Sequence, residues 1–208
     1  MHVDERQLSE FLLDGGVISR STLMDARARA EERGETLYHA LLNGAFVDSD
    51  HLRRAAAHTL GVPFIILNPH DVAIEALIHI PEPLSRTHNI IAFKSDGRTI
   101  EVALLDLDAL ETLQSLPKMQ EYTIAPRFTN QGSIKTALIK YQKHLKEKFG
   151  SFAQHGMHAV DALIKHAILS RAGGIHIEPS TTGFLIRYRI GELLHEAMQL
   201  PEHIVKLL

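Results

Sequence analysis

The sequence predicts an α+β protein with three parts: an N-terminal helical helix-turn-helix repeat, a middle α+β sandwich, and the start of a β-rich α+β subdomain at the C-terminal end. Three observations predict it. One apolar pattern occurs twice within the first 52 residues, a hairpin-like pair of apolar runs occupies 90–105, and "IHIEPSTTGFLIRYRI" reads as two further strands. A chain of 208 residues, 45 % hydrophobic, can bury cores of this size.

The repeat superposes "LSEFLLDGGVISRSTL" (Leu8 to Leu23) on "LYHALLNGAFVDSDHL" (Leu37 to Leu52) at a constant offset of 29 positions. In each copy a short apolar helix ends at Gly15 or at Asn43-Gly44, where a residue with positive φ closes the last turn. A hydrophobic pair follows, then Ser19 or Asp48 at an N-cap position. The second helix of each copy has an apolar face: Leu23, Ala26 and Ala30, or Leu52, Ala55 and Ala56. A helix-turn-helix can enter a DNA groove, but these second helices carry mixed charge and no cluster of base-reading polar residues. The net charge of −3 also supplies no general attraction to polyanions, so no nucleic-acid partner is expected.

In the middle part, "IIAFKSDGRTIEVALL" (Ile90 to Leu105) reads as a hairpin turning at Ser95-Asp96-Gly97. A helix near Leu107 to Leu116, a strand "EYTIAPRF" and a helix capped by Ser133 follow, the last with Ile134, Ala137, Leu138 and Tyr141 on one face. This pattern predicts one sheet covered by helices on one face. The stretch 143–157 gains charge, Gly and Ser and reads as a linker, so the parts are 1–67, 68–142 and 158–208.

From Val160 an apolar stripe (Val160, Leu163, Ile164, Ala167, Ile168) predicts a helix up to Gly173-Gly174. On the strands beyond it, Phe184, Ile186, Tyr188 and Ile190 face one way and Arg187 and Arg189 the other, with the two arginine Cα atoms about 7 Å apart. The arginines have two uses open to them: a cross-strand ion pair with Glu178, worth about 0–1 kcal/mol, or contact with an anionic ligand.

Cysteine is absent, which removes disulfides and thiolate metal sites and fits a cytoplasmic, reducing compartment. The fourteen histidines are scattered. The pair in "HGMH" (His155, His158) has no further ligands at recognisable spacing, so no metal site is expected. No apolar run approaches the roughly 20 residues needed to span a bilayer, so any membrane link goes through a partner.

The stretch "VDALIKHAILSRAGGIHIEPSTTGFLIRYRIGELLHEAMQLP" resembles the start of the ATPase region of the type II secretion and type IV pilus assembly ATPases. In that family a helix leads into an Asp-Ile-His-Ile-Glu-Pro strand, then an Arg-x-Arg strand, then a strand ending in Leu-Pro. The doubled helical unit followed by an α+β segment is similar to the family's MshEN-type N-terminal domain. The resemblance implies a hexameric mechanical enzyme on the cytoplasmic side of the inner membrane. Its ATP and Mg²⁺ belong to a C-terminal domain, and it docks on the cytoplasmic part of an inner-membrane platform protein. Arg187 and Arg189 match the Arg-x-Arg pattern, which implies that they reach nucleotide in trans, where a guanidinium neutralises charge developing on a transferring phosphoryl group. Gly173-Gly174 stands where the family has Ser-Asp, and Gly191-Glu192 where it has Asp-Gly.

No G-x-x-x-x-G-K-[ST] loop occurs, so this chain alone is expected to hold no nucleotide cofactor and to hydrolyse no ATP; it reads as an N-terminal fragment ending within a helix at "EHIVKLL". MshEN-type domains can bind cyclic-di-GMP through two motif copies that begin Arg-Leu-Gly. Here Leu8, Leu12, Leu13 and Gly16 match in copy one, and Leu37, Leu41 and Leu42 in copy two. Gln7-Leu8-Ser9 and Thr36-Leu37-Tyr38 replace Arg-Leu-Gly, and Ala45 replaces the second glycine, so the leucines that build helices survive while the polar positions do not. The expectation is a regulatory and docking portion of an assembly ATPase with weak or no dinucleotide binding. The alternatives are a stand-alone cyclic-di-GMP-sensing module and an adaptor docking a platform protein.

Overall fold

The computed structural model describes residues 3–106, 108–114, 121–153, 157–170, 172–190 and 193–202. The repeat folds as four helices: α1 (Glu5–Asp14), α2 (Arg20–Arg33), α3 (Leu37–Asn43) and α4 (Ser49–Thr59). Their caps follow the sequence. Ser19 accepts a bond from the Thr22 N–H, Asp48 accepts from Asp50 and His51, and Thr36 accepts from His39.

The turn geometry differs from expectation by one residue. Gly15 and Gly44 both keep right-handed φ (−74° and −82°), and the left-handed residues are the next ones, Gly16 (φ 63°) and Ala45 (φ 51°). Gly44 is required for a different reason: a Cβ there would run into the Phe46 ring and the Ala40 carbonyl. Gly16 and Ala45 are equivalent in the repeat, so one turn meets the left-handed requirement with glycine and the other with alanine.

After α4 the chain runs extended. Phe64 bridges Phe128, with the Ile65 N–H donating to the Phe128 carbonyl at 2.8 Å. Short helices α5 (Ile74–Leu77) and α6 (Glu82–His88) lead to β1 (Ile90–Asp96), then β2 (Thr99–Leu104), α7 (Asp108–Gln114) and β3 (Thr123–Phe128). β1 and β2 are antiparallel, while β3 runs parallel to β2 across α7, a βαβ crossover. Ser95 and Asp96 still pair with β2, so the turn is Gly97-Arg98, not Ser95-Asp96-Gly97.

The central sheet is covered on both faces, which corrects the one-face sandwich. Ile90, Ala92, Ile100, Val102 and Leu104 join the core that holds Leu8, Leu12, Leu41 and Leu52 of the repeat. Ile91, Phe93, Ala103 and Leu105 belong to a second core with Ile134, Ala137 and Tyr141. Unbroken apolar runs such as "IIAF" and "VALL" are what a strand buried on both sides needs. Residues before and after 67 therefore share one hydrophobic cluster.

The long helix α8 (Gln131–Ala153) begins two residues before Ser133. The Ser133 N–H donates to the Asn130 side chain at 2.8 Å, which makes Asn130 the capping group. The Ser133 hydroxyl instead accepts from the Leu67 N–H at 2.9 Å, in the interior. Within the supposed linker, residues 143–153 continue α8, because Ala137, Tyr141 and Leu145 prolong its buried stripe; 154–156 lie outside the described residues.

Helix α9 (Met157–Leu169) buries Leu163 and Ala167, but Ile164 and Ile168 are exposed, so two of the five residues of its predicted stripe face outward. Strands β4 (Gly174–Ser180), β5 (Gly183–Ile190) and β6 (Leu193–Leu200) form a second antiparallel sheet in that order. Its inner face (Ile186, Tyr188, Met198, Leu200) packs into the second core, and the Thr87 hydroxyl meets His195 Nδ1 at 3.2 Å between α6 and β6. His155, Gly191, Glu192 and residues 203–208 lie outside the described residues, as does the side chain of His158.

Candidate functional site

The two arginines stand on the outer face of β5 because strand alternation sends Ile186 and Tyr188 inward. Tyr188 is wholly buried, with its hydroxyl 3.0 Å from His166 Nδ1 and 3.4 Å from the Leu163 carbonyl, and burial pushes its phenol well above the ordinary tyrosine range. This anchor fixes the register of the residues on either side.

Arg187 Nη1 lies 2.9 Å from Glu178 Oε2 on β4, and Nη2 lies 4.0 Å from Glu196 Oε1 on β6. It is one-third exposed, held between two carboxylates of neighbouring strands. Arg189 is exposed, donates from Nη2 to the Gly173 carbonyl at 3.0 Å, and lies over the Gly173-Gly174 backbone. The side chains thus share a face but have separate local partners: a carboxylate cluster for Arg187, a backbone carbonyl for Arg189.

In the repeat, Leu8, Leu12, Leu37 and Leu41 are fully or almost fully buried, and Leu13 and Leu42 are half-buried at the edge of the same core. Gly16 forms its turn with left-handed φ and is exposed. Three of the four residues that flank the first leucine of each copy have structural work. Thr36 caps α3 through its hydroxyl, which also meets His39 Nδ1 at 2.9 Å. Ser9 is buried, its hydroxyl donating to the Glu5 carbonyl at 2.6 Å and meeting Arg27 Nη2 at 3.3 Å. Tyr38 is buried at the matching place in copy two, and burial followed by the charge of Asp106 pushes its phenol well up. Gln7 is exposed. Glu5 Oε1 also accepts the Leu37 N–H at 2.9 Å, so the start of one copy is tied to the start of the other.

Sequence reasoning missed two ring contacts in which α4 takes part. Phe11 stacks against His58 with centroids 4.6 Å apart, and the Arg54 guanidinium sits 4.1 Å over the Phe64 ring. Arg54 and His58 are four residues apart on α4, a spacing that places them on one helix face.

The MshEN domain family matches residues 60–148. The match covers the central sheet with its connecting helices and most of α8. The chain is also 23 % identical to the type IV pilus assembly ATPase PilB of Myxococcus xanthus, over 94 % of this chain and 39 % of that protein. It therefore spans about two fifths of that relative. Among solved structures, MshE with cdg aligns with a TM-score of 0.52 at 22 % identity, covering 64 % of this chain and 97 % of that one. The N-terminal domain of XpsE aligns at 0.51 and 13 % identity, covering 68 % and 97 %. These two alignments speak for the fold alone. The matches agree with an N-terminal region of a type IV pilus or type II secretion ATPase.

Proposed function

We propose that this chain is the regulatory and docking N-terminal portion of a hexameric pilus or secretion assembly ATPase, bound to the cytoplasmic part of a membrane platform protein. What supports the reading is the likeness to a pilus assembly ATPase over nearly the whole chain, in a sequence that has no phosphate-binding loop. ATP and Mg²⁺ are then held by a C-terminal motor portion. Among the described residues no helix is long and apolar enough to cross a membrane, in keeping with attachment through a partner.

In this reading Arg187 and Arg189 present guanidinium groups to nucleotide held by the motor. Arg187 must then exchange Glu178 for phosphate. Both carboxylates around it are part-exposed, so the pair is weak enough for that exchange. The test is ATP turnover by this chain joined to its motor portion. The R187A/R189A double variant is expected to lower kcat while binding to the platform protein's cytoplasmic part persists. Unchanged kcat removes the arginines from the nucleotide site, and unchanged kcat with binding that survives the double substitution favours the adaptor reading.

A second reading, cyclic-di-GMP sensing by the repeat, is favoured by one observation: MshE, which shares the fold, was solved with cdg. Against it, Gln7 and Thr36 replace the motif's arginines, which removes charge-assisted bonds worth about 1.5–3 kcal/mol each. Calorimetry is expected to find no micromolar affinity for cyclic-di-GMP. A micromolar or tighter constant establishes the sensing reading.

A further inference from the structure

The structure brings together three groups that the sequence keeps far apart: His39 on α3 and Asp106 and Asp108 at the end of β2 and the start of α7. Their ligand atoms all lie within 4.8 Å of one another, with His39 Nε2 at 3.6 Å from Asp106 Oδ2 and 3.8 Å from Asp108 Oδ2. Ligand atoms about 2.0–2.2 Å from a tetrahedral zinc stand about 3.4 Å apart, so the two histidine–carboxylate separations need a few tenths of an ångström of closure, and the two carboxylates, within 4.8 Å of each other, close by rotation of the exposed Asp108 side chain. The other ring nitrogen, Nδ1, sits 2.9 Å from the Thr36 hydroxyl. A proton on Nδ1 given to Thr36 leaves the Nε2 lone pair directed at the carboxylates, the orientation that an outer partner imposes on a metal-binding histidine.

A separate observation points to a missing ligand. Tyr38 is more than nine-tenths buried, its ring stands edge-on to His39 with centroids 5.5 Å apart, and its hydroxyl is buried without a hydrogen-bond partner. The charges of Asp106, Arg53 and Asp108 all act on that hydroxyl, the carboxylates against the guanidinium. A buried phenol without a partner is costly, and a metal-bound water beside it would supply one. Asp108 is four-fifths exposed, so the site opens to solvent on that side.

We propose that His39, Asp106 and Asp108 form a binding site for a divalent transition metal, zinc in particular, that staples the second helical unit to the end of the central sheet. One imidazole and two carboxylates suit a borderline cation and leave one or more positions open for water. The ligands come from two elements of the first core, so occupancy couples the packing of α3 to that of the β2–α7 connection.

The test titrates zinc into the chelator-stripped chain by calorimetry and repeats it with D108N and H39Q, with H51Q as control. The fourteen histidines make the variants essential, because exposed imidazoles elsewhere can take up zinc. The expected result is one saturable equivalent, an affinity at least about tenfold weaker in D108N and H39Q, and no change in H51Q. Asp108 is exposed, so D108N is expected to fold; thermal melting of each variant without metal checks this. Absence of saturable binding, or full affinity retained by well-folded D108N, overturns the site.

Discussion

Replacing Ala45 with glycine is expected to stabilise this protein, and replacing the equivalent Gly16 with alanine to destabilise it. Both residues close the first helix of a repeat copy in the left-handed region, at φ 51° and 63°. An L-residue with a Cβ pays about 1–2 kcal/mol there. Glycine avoids that cost but loses about 0.4–1 kcal/mol more chain entropy on folding. The difference leaves A45G more stable by about 0.5–1 kcal/mol. G16A loses a similar amount, because no atom lies within 4 Å of where its Cβ would stand and only the backbone term remains. For a chain of this size each kcal/mol moves Tm by about 2–4 °C, so A45G should melt about 1–4 °C higher and G16A lower by as much. The sites lie in different turns, so the double variant should fall near wild type. Thermal unfolding followed by circular dichroism measures all three. A45G melting below wild type, or G16A melting unchanged, refutes the equivalence of the turns.

Three further outcomes follow. L41A empties a fully buried position in the core shared by repeat and sheet, and should cost about 2–5 kcal/mol; calorimetry should show the repeat and the central sheet unfolding together, and an early separate transition for the repeat contradicts the shared core. Asp48 is held below its ordinary pKa by the His51 and Asp50 N–H groups that it caps, so its contribution is present above the unfolded-state pKa and is lost as pH falls through the folded one. Its carboxyl carbon should titrate below the ordinary aspartate range by NMR, and a normal midpoint contradicts the cap. R187A should change stability by less than about 1 kcal/mol in urea unfolding, since its pairs with Glu178 and Glu196 are part-exposed; a larger loss would make the arginine a structural support.

Much of this protein was written in local pattern. The 29-residue offset located all four helices of the repeat, Ser19 and Asp48 are the caps their spacing indicated, and alternation along β5 put Arg187 and Arg189 outside and Tyr188 inside. These features depend on neighbours within a few residues, which is why a single chain shows them. Tertiary packing decided the rest. Whether "IIAF" is covered on one face or two, whether the charged end of α8 remains helical, and whether Ile164 meets a core all depend on partners outside the local stretch or on none. Ser133 shows the difference most plainly: its type suits a helix cap, yet its hydroxyl serves the Leu67 N–H, and Asn130 caps in its place. The His39, Asp106 and Asp108 cluster has no sequence signature, because only the packing of α3 against the end of the sheet brings an imidazole of the repeat to two carboxylates nearly seventy positions later.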